Sequence, residues 1–550
     1  MIPTFSKLRP FVLPLLLLST AAPAFPQEPA QEETFSEAIE VSVVNLDVFV
    51  TDKKGKPLEG LRQEDFEILE DGKPVEITNF YAEGRAAARV PGAPAAASER
   101  SEEQKLNLVI FVDDVNTQPR NRARILDQID EFLDQALTPG DRVMLVRYNL
   151  GLDVRRMWTT DLAQVKADVE ALQGLSSDQR KWAESWEQAI DDLIEALYVG
   201  GWGPLAENRL QAWAEQERDV VQGALNGLDA VIGWISGVPG RKAILYVSDG
   251  LPIVPGDELM SWAADRSNSM RGTGRISALS SQSNDMSKRF RDVTSHASRN
   301  RVGIYPIEAW GARASRGRQI SSVIISNRQN GLRFLAEDTG GRVMLNAADP
   351  LAALRLMEED LSAFYSLGYR PQRAGDEREH KIEVKVKARG ATVRHRQWYR
   401  DKSVAESVAE RTAAEMRFGP EDNPLEAKLE IGEQKAKEDG GVLVPVRVKV
   451  PIAKLYLTPK EGVRTGSLRL FVVAGGQAGE TPVRETRVVT VEIPEAEAAA
   501  GTAREYVHDV GITLKPGSYA VGVGVRDEAV SVTSYLRGEV EVKPVIAQGK

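Results

Sequence analysis

The stretch LVIFVDDVNTQ, residues 108–118, decides the fold. Its first five residues are all apolar, and Asp113 and Asp114 follow them directly. A short run that is apolar at every position predicts a strand buried on both faces, as in a parallel sheet covered by helices on both sides. Folds of this kind bind ligands at the carboxyl ends of their strands. The two aspartates therefore mark a candidate site.

Similar strands recur along residues 106–364, and segments with helical periodicity separate them. After the opening strand, Leu106 to Val112, the apolar stretches are RVMLVRYN (142–149), KAILYVSDG (242–250) and RVGIYPIEAWG (301–311). Strands that alternate with helices predict a parallel sheet, and right-handed crossovers make it an α/β doubly wound domain. Residues 178–238 interrupt the alternation with long, Trp-rich helical patterns, which predicts a helical insertion.

The flanking segments have the pattern of β-structure. Residues 38–82 alternate apolar and polar positions and contain a hairpin signal at Asp71-Gly72. Residues 365–400 contain three further strands of this kind, and our hypothesis is that they complete one β-sandwich with residues 38–82. Residues 425–545 alternate short strands with Gly/Pro turns, which predicts a C-terminal β-sandwich. Residues 83–105 are predicted to be a linker, and residues 401–424 a polar, partly helical linker.

The amino terminus has the features of an export signal. Lys7 and Arg9 precede a short apolar core, FVLPLLLL (11–18), and Ala22-Pro23-Ala24 fits a cleavage site. We therefore expect residues 1–24 to be a signal peptide and the protein to be periplasmic, on the cell surface or extracellular. The apolar core is too short to span a bilayer, and we expect no transmembrane segment in the mature chain.

Composition narrows the classes of function. The 550 residues carry a formal net charge of -10, which disfavours a nucleic-acid partner. There is no cysteine, so thiol catalysis and Cys-ligated zinc are excluded. The four histidines are scattered without the spacing of a metal motif, and no nucleophile or phosphate-binding motif is present. We therefore expect no catalytic residues and no enzyme activity.

The strand ends carry the residue types that bind a hard cation. Asp113 and Asp249 are predicted at the same edge of the sheet, and the loop GLSSDQ adds Ser176 and Ser177. Carboxylate and hydroxyl oxygens are typical ligands of Mg²⁺ or Ca²⁺. An alternative hypothesis is that Asp113, Asn116 and Thr117 only cap the helix that follows, because Pro119 suits a first helical turn.

Several motifs together resemble a known family. DDVNT (113–117), SDG (248–250) and IYPIEA (304–309) are similar to a von Willebrand factor type A (VWFA) domain. The flanks, including EDFEILEDGKPVEITNF (64–80), LAEDTGG (335–341) and DLSAFYSLGYRP (360–371), resemble the VWFA-related domain family first described from Acidobacteria. The resemblance covers about residues 38–400.

The resemblance implies a metal-ion-dependent adhesion site (MIDAS), with the pattern Asp-x-Ser-x-Ser, a loop Thr and a later Asp. Carried onto this sequence, Asp113, Thr117 and Asp249 are the implied ligands. Val115 stands where the pattern has its middle Ser, and it has no side-chain oxygen.

If the pattern is shifted by one residue, Asp114 matches its Asp and Asn116 its middle Ser. Gln118 then stands at the last Ser, where it departs from the pattern. The loop Thr is matched only by Ser176 or Ser177.

The family resemblance implies a binding function. We expect an exported protein that mediates protein–protein binding or adhesion, through a degenerate MIDAS if Mg²⁺ or Ca²⁺ binds. Two alternatives stay open at this point. One is an exported metal-dependent hydrolase, and the other is a structural protein of the cell envelope whose metal site has decayed.

Overall fold

A computed structural model describes most of the chain, and the described residues fall in the unit Ser42–Lys550. They are residues 43–82, 102–175, 188–189, 191–196, 204–257, 259–260, 284–309, 322–346, 348–371, 376, 378–420, 422–437, 440–476, 482–495 and 505–543. The predicted signal peptide, most of the 83–105 linker, parts of 178–238 and both Ser176 and Ser177 lie outside them. In the described residues no helix is both long enough and apolar enough to cross a membrane.

The secondary structure follows the predicted order of elements. The strands are β1 (Val44–Thr51), β2 (Phe66–Glu70), β3 (Lys73–Val75), β4 (Ile77–Ala82), β5 (Leu106–Asp113), β6 (Arg142–Tyr148), β7 (Leu152–Thr159), β8 (Arg241–Ser248), β9 (Val302–Glu308), β10 (Tyr365–Tyr369), β11 (Glu379–Val386), β12 (Thr392–Arg394), β13 (Trp398–Arg400), β14 (Lys428–Ile431), β15 (Lys435–Ala436), β16 (Val442–Pro451), β17 (Thr458–Lys460), β18 (Val463–Gly475), β19 (Val483–Pro494), β20 (Glu505–Leu514), β21 (Gly517–Asp527) and β22 (Val532–Val542). The helices are α1 (Pro119–Leu126), α2 (Ile129–Ala136), α3 (Leu162–Gln173), α4 (Pro204–Ile235), α5 (Ser287–Arg299), α6 (Ser322–Glu337), α7 (Pro350–Ser362) and α8 (Val404–Phe418).

The central domain is built on a five-stranded sheet with the order β7-β6-β5-β8-β9. β5 pairs in parallel with β6 on one side and with β8 on the other, and β8 pairs in parallel with β9. Only the edge strand β7 is antiparallel, because the short turn after Tyr148 can form only a hairpin. In order of appearance these strands read 3-2-1-4-5, the order of a doubly wound sheet. The predicted α/β class is confirmed.

Both faces of this sheet are buried, as the apolar sequence of β5 requires. Leu108 and Ile110 pack with α1, α2, α3 and α7, whereas Val109 and Phe111 pack with α4, α5 and α6. All of these side chains are fully buried. The alternating residues of one strand therefore anchor two separate cores.

The helical segment 178–238 differs from the expected insertion. α4 is one continuous helix of 32 residues, and its second half, from Val221 to Ile235, packs on the sheet. Its first half contacts a smaller cluster that includes Leu193 and Leu259. The second half of α4 is not an insertion, because it covers one face of the central sheet and belongs to the domain core.

Strands from the two segments around the central domain pair with each other. One sheet has the order β12-β1-β10-β4 and the other β13-β11-β2-β3. Leu46 lies opposite Leu367, and Ile68 lies opposite Val384. Both sheets contribute to one buried cluster. The turn at Asp71-Gly72 has positive φ at both residues, as a two-residue hairpin requires, which confirms the predicted hairpin.

The C-terminal strands form two further sheets around a separate core. β16 pairs with β14, β15 and β20, and β18 pairs with β17, β19 and β21, which in turn pairs with β22. Residues 401–424 were expected to be a partly helical linker, and they contain α8. Val408 of this helix packs on Phe471 and Tyr535, and Ala414 belongs to a core of the central domain. The segment is ordered because its apolar residues are buried.

The Thr339-Gly340-Gly341 turn connects α6 to the segment that passes along β9. A Cβ on Gly341 would lie 1.9 Å from the carbonyl oxygen of Ile304, so no other residue fits without moving β9. We predict that Gly341→Ala lowers the free energy of unfolding by about 1–3 kcal/mol. Gly174→Ala is the control, because its Cβ would meet only ordinary contact at 3.7 Å. Urea unfolding of both variants measures the difference, and equal midpoints would contradict the prediction.

Candidate functional site at the carboxyl edge

β5 ends inside the protein, and Asp113 is fully buried there. Its Oδ1 accepts a hydrogen bond from the backbone N–H of Asn116 (3.1 Å), and its Oδ2 accepts from the Asn116 amide (2.9 Å) and the Tyr246 hydroxyl (2.5 Å). Burial raises the pKa of Asp113 to about 6, although the donors from Tyr246 and Asn116 act in the opposite direction. The chain's own donors therefore occupy both carboxylate oxygens.

Thr117 bridges two neighbouring strands. Its hydroxyl lies 2.5 Å from the carbonyl oxygen of Asp113 and 3.3 Å from that of Val247. The hydroxyl is buried and directs its proton to these backbone acceptors. Thr117 therefore ties the end of β5 to the end of β8.

Asp249 lies just after β8 and reaches the start of α1. Its Oδ2 accepts from the backbone N–H of Gln118 (2.9 Å), and the Asn121 amide donates to both carboxylate oxygens (3.1 and 2.9 Å). Burial raises the pKa of Asp249 to about 7, and Glu308 adds to this, whereas Gln118, Asn121 and Arg328 lower it. The carboxylate thus satisfies a backbone donor that the helix leaves free.

This contact corrects the capping hypothesis. Gln118 is the N-cap residue of α1, and no side chain of its own forms a cap hydrogen bond. Asp113, Asn116 and Thr117 do not cap the helix. Asp249, which is far away in sequence, takes that role because the parallel pairing of β5 with β8 brings it to the helix start.

Asp114 forms ion pairs with two arginines. Its Oδ1 contacts Arg122 of α1, and its Oδ2 lies 2.5 Å from Nε of Arg147 in β6. Asp114 and Arg122 are fully buried. Arg122 also donates to the carbonyl oxygens of Gln173 and Leu175 at the end of α3. Asp114 therefore fixes α1, β6 and α3 together and is not available to a ligand.

The remaining predicted positions contribute no ligand atom. Val115 is buried in the core that covers one face of the sheet, and it cannot replace a serine. Ser176 and Ser177 lie outside the described residues. The structure therefore places Asp113, Asp114, Asn116, Thr117 and Asp249 around one sheet edge.

Mg²⁺ and Ca²⁺ require oxygen ligands with free lone pairs. A carboxylate oxygen has two lone pairs, and among the described residues Asp113 Oδ1 and Asp249 Oδ1 each accept one hydrogen bond. The Thr117 hydroxyl donates its proton to carbonyl groups and keeps its oxygen lone pairs. These oxygens therefore keep lone pairs for a cation, and the hydrogen bonds around them form a network that joins three loops.

Several members of this network were not predicted. Arg122, Arg147 and Asn121 have no local signal, because each reaches its partner only through the packing of α1 or the pairing of β6. Tyr246 did have a local sequence signal, because it is the only hydroxyl-bearing residue inside the apolar run KAILYV. A buried tyrosine needs a hydrogen-bond partner, and the aspartates were the nearest candidates.

Another group in the described residues has metal-ligating side chains. Ligand atoms of Glu70, Asp71 and His380 lie within 4.8 Å of one another. His380 Nδ1 lies 2.8 Å from Asp71 Oδ2, and its Nε2 lies 3.0 Å from Asp376 Oδ1. Burial lowers the pKa of His380, but the carboxylates of Asp376 and Asp71 outweigh it and the net shift is upward. A carboxylate on each ring nitrogen is typical of a protonated histidine in an ion cluster.

Sequence reasoning missed this cluster. Asp71 was interpreted only as a turn residue and His380 as a scattered histidine. Asp71 and His380 are separated in the sequence by the whole central domain. The pairing of β2 with β11 brings them together.

No protein-family model matches the sequence. No curated protein matches it either. Solved structures with similarity include the vWF domain of the type V pilus tip protein Mfa5 from Porphyromonas gingivalis. It has 13% identity and a TM-score of 0.25, over 47% of this chain and 95% of that chain. The α/β domain resembles a VWFA domain.

Two other solved structures are similar at the same level. BatB from Bacteroides thetaiotaomicron has 9% identity and a TM-score of 0.23, over 47% of this chain and 97% of that chain. The mussel byssus protein PTMP1, solved with a zinc-occupied MIDAS motif, has 10% identity and a TM-score of 0.21, over 46% of this chain and 48% of that chain. These TM-scores are low, and the strand order of the domain by itself shows a doubly wound α/β sheet.

The buried ion pairs of Asp114 give a first prediction for the site. Asp114→Asn removes the charge that two partly or fully buried arginines face, so we expect a loss of about 3–5 kcal/mol in the free energy of unfolding. Asp292→Asn makes the same change in the exposed Lys288–Asp292 pair and should cost less than about 1 kcal/mol. Chemical denaturation measures both, and equal losses would contradict a structural role for Asp114.

The raised pKa of Asp249 gives a second prediction. Its folded pKa of about 7 lies above the ordinary value of 3.8, so the folded chain holds a proton that the unfolded chain has released. The resulting stability is fully present below pH 3.8 and is lost as the pH rises to about 7. In Asp249→Asn the free energy of unfolding should fall less steeply over this range. Denaturation at several pH values checks this, and parallel curves would disprove it.

Proposed function

We propose that this chain is an exported binding protein whose VWFA-like domain contacts a protein partner through the loops at the carboxyl edge. The supporting observation is Leu150, in the turn between β6 and β7. Its side chain is 70% exposed, and its φ is +61°. A positive φ is unfavourable for leucine, and such strain is typically kept at functional sites. Neither burial nor packing explains the choice of residue.

Leu150 lies close to the hydrogen-bond network. It follows Tyr148, which lies opposite Asp113 in the sheet, and the backbone N–H of Asp114 donates to the Tyr148 carbonyl (2.9 Å). The backbone N–H of Asp249 donates to the Asn116 carbonyl (2.9 Å). The network thus holds the three loops in one arrangement before a partner arrives, which lowers the entropy lost on binding.

In this proposal the acidic residues organise the surface and do not coordinate a cation. Asp113, Thr117 and Asp249 act through hydrogen bonds inside the protein. Binding is therefore independent of Mg²⁺ and Ca²⁺. The metal-dependent form of the hypothesis differs in one respect, because it requires the free lone pairs of these oxygens to converge on one cation.

Export and location belong to the same proposal. The predicted signal peptide at residues 1–24 places the mature chain in the periplasm, on the cell surface or outside the cell.

Leu150→Asn tests the proposed surface. Asparagine tolerates positive φ, so stability should stay within about 0.5 kcal/mol, whereas the apolar contact is removed. We expect the amount of protein retained by the native envelope fraction to fall about tenfold, as for the loss of one central contact. Leu205→Asn is the matched control, because Leu205 is 52% exposed at the start of α4, away from this turn.

The same measurement with a chelator distinguishes the two forms of the hypothesis. Retention that is unchanged by EDTA supports the metal-independent form. Retention that EDTA abolishes and Mg²⁺ restores would replace it with the metal-dependent form. If Leu150→Asn is retained like the wild type, the carboxyl edge is not the binding surface.

A further inference from the structure

A small cavity lies at the opposite, amino edge of the central sheet. It is bounded by β1, by the first residues of β8, by the start of β9 and by the segment that follows β12. Its volume is about 40 Å³. A water molecule needs about 10–15 Å³, so the cavity has room for a few waters or for one small ion.

Cationic side chains dominate the lining. Arg241, Lys242, Arg301 and Arg396 contribute four cationic groups, and Asp47 is the only acidic residue among the lining residues. Arg241 and Lys242 are only 7% and 8% exposed. Buried cations are normally matched by carboxylates, because their transfer from water is otherwise unfavourable. Asp47 and Glu103, which pairs with Arg301 from outside the lining, are fewer than the four cationic groups, so the cavity keeps an excess of positive charge.

The contacts of the two buried β8 residues leave them weakly compensated. Arg241 Nε lies 3.4 Å from Asp47 Oδ2, which is long for a charge-assisted hydrogen bond, and its guanidinium stacks 3.6 Å over the Phe364 ring. Lys242 Nζ donates to the Val238 carbonyl at 2.8 Å. An ammonium group has three protons, and a carbonyl leaves its charge uncompensated.

Arg396 is held on the other side of the cavity by carbonyl groups. Its Nη1 donates to Ser298 (3.0 Å) and its Nη2 to Asn45 (2.9 Å). In the part of the chain that the structure describes, its buried Nε has no hydrogen-bond partner. Arg301 pairs with Glu103 at 3.2 Å, at the more exposed side.

The cations also act on one another. Burial, followed by the charges of Arg301 and Lys402, lowers the pKa of Lys242 to about 7. Burial and the charge of Arg301 lower the pKa of Arg396 to about 10. Nearby carboxylates oppose both shifts, Glu103 and Glu410 for Lys242 and Asp47 for Arg396, but they do not outweigh burial. An anion in the cavity would also oppose both shifts, because a negative charge favours the charged form of a cationic group.

We propose that this cavity binds one small tetrahedral oxyanion of the phosphate or sulfate class. Arginine forks and a lysine ammonium are the side chains that proteins use for such ions. The volume excludes a nucleotide, so the ligand is the free ion or the phosphate group of a larger molecule that stays outside. Because β1 and β8 both line the cavity, the ion would link the N-terminal sheets to the central domain. This inference is independent of the proposed binding surface.

Thermal unfolding of the full chain with sodium sulfate, sodium phosphate or sodium chloride at matched ionic strength tests the proposal. A ligand that binds only the folded state raises the Tm, and we expect a rise of about 2–4 °C over chloride for both oxyanions. Isothermal titration calorimetry should give one sulfate per chain. Phenyl phosphate distinguishes the two sources of the ligand. A rise in Tm equal to that with inorganic phosphate supports the phosphate group of a larger molecule, and no rise in Tm supports the free ion.

Two variants link the effect to the cavity. Arg301→Gln removes a lining charge and should weaken sulfate binding about tenfold. Arg299→Gln is the matched control, because Arg299 forms a similar single pair with Glu379 (3.3 Å) and its side chain is 29% exposed against 24% for Arg301. Arg299 does not line the cavity, so its variant should respond like the wild type.

Lys242→Met provides the second variant. The change keeps an unbranched side chain but removes the buried charge, so we expect the sulfate response to be lost without a lower Tm in chloride. Equal Tm values of the wild type in sulfate and chloride would overturn the proposal. A full sulfate response in both Arg301→Gln and Lys242→Met would also overturn it.

Discussion

The parallel pairing of β5 with both β6 and β8 is the constraint on which the rest of the structure depends. It places one strand in the middle of the sheet, with each face under a different set of helices. It also determines what each end of the sheet contains. At the carboxyl end, Asp113 and Asp249 come close to the start of α1. At the amino end, Arg241 and Lys242 come close to β1. Both charged regions follow from one set of backbone hydrogen bonds.

The sequence predicts most of this fold, because burial on two faces leaves a direct pattern. The short all-apolar run of β5 predicts a buried strand. Asp71-Gly72 predicts a two-residue hairpin turn, because both residues tolerate positive φ. The second half of α4 was harder to predict, since a covering helix and an inserted helix have the same periodicity. α8 lies in a segment that was predicted to be a partly helical linker, but its burial could not be predicted, because Val408 and Ala414 are buried by strands and helices that are distant in sequence.

The candidate site was predictable in position but not in chemistry. The sequence placed Asp113, Thr117 and Asp249 at one edge, and the structure brings them there. Their partners could not be predicted, because Tyr246, Asn121 and Arg147 reach them only through pairing and packing. The partners affect the chemistry, because each hydrogen bond that a carboxylate oxygen accepts uses one of its two lone pairs. The sequence resemblance to VWFA domains indicates the position of the site, and the hydrogen bonds and ion pairs indicate how its residues are used.

The pairing of β1 with β10 has a mechanical consequence. The central domain leaves the N-terminal sheets after β4 and returns to them at β10, so both of its ends are anchored in the same pair of sheets. Tension applied along the chain from outside this region would load the ladders of β1 and β13 before it reached β5. The carboxyl edge would keep its shape until those ladders opened. For the binding function proposed above, such shielding would separate the mechanical strength of the flanking sheets from the stability of the binding surface.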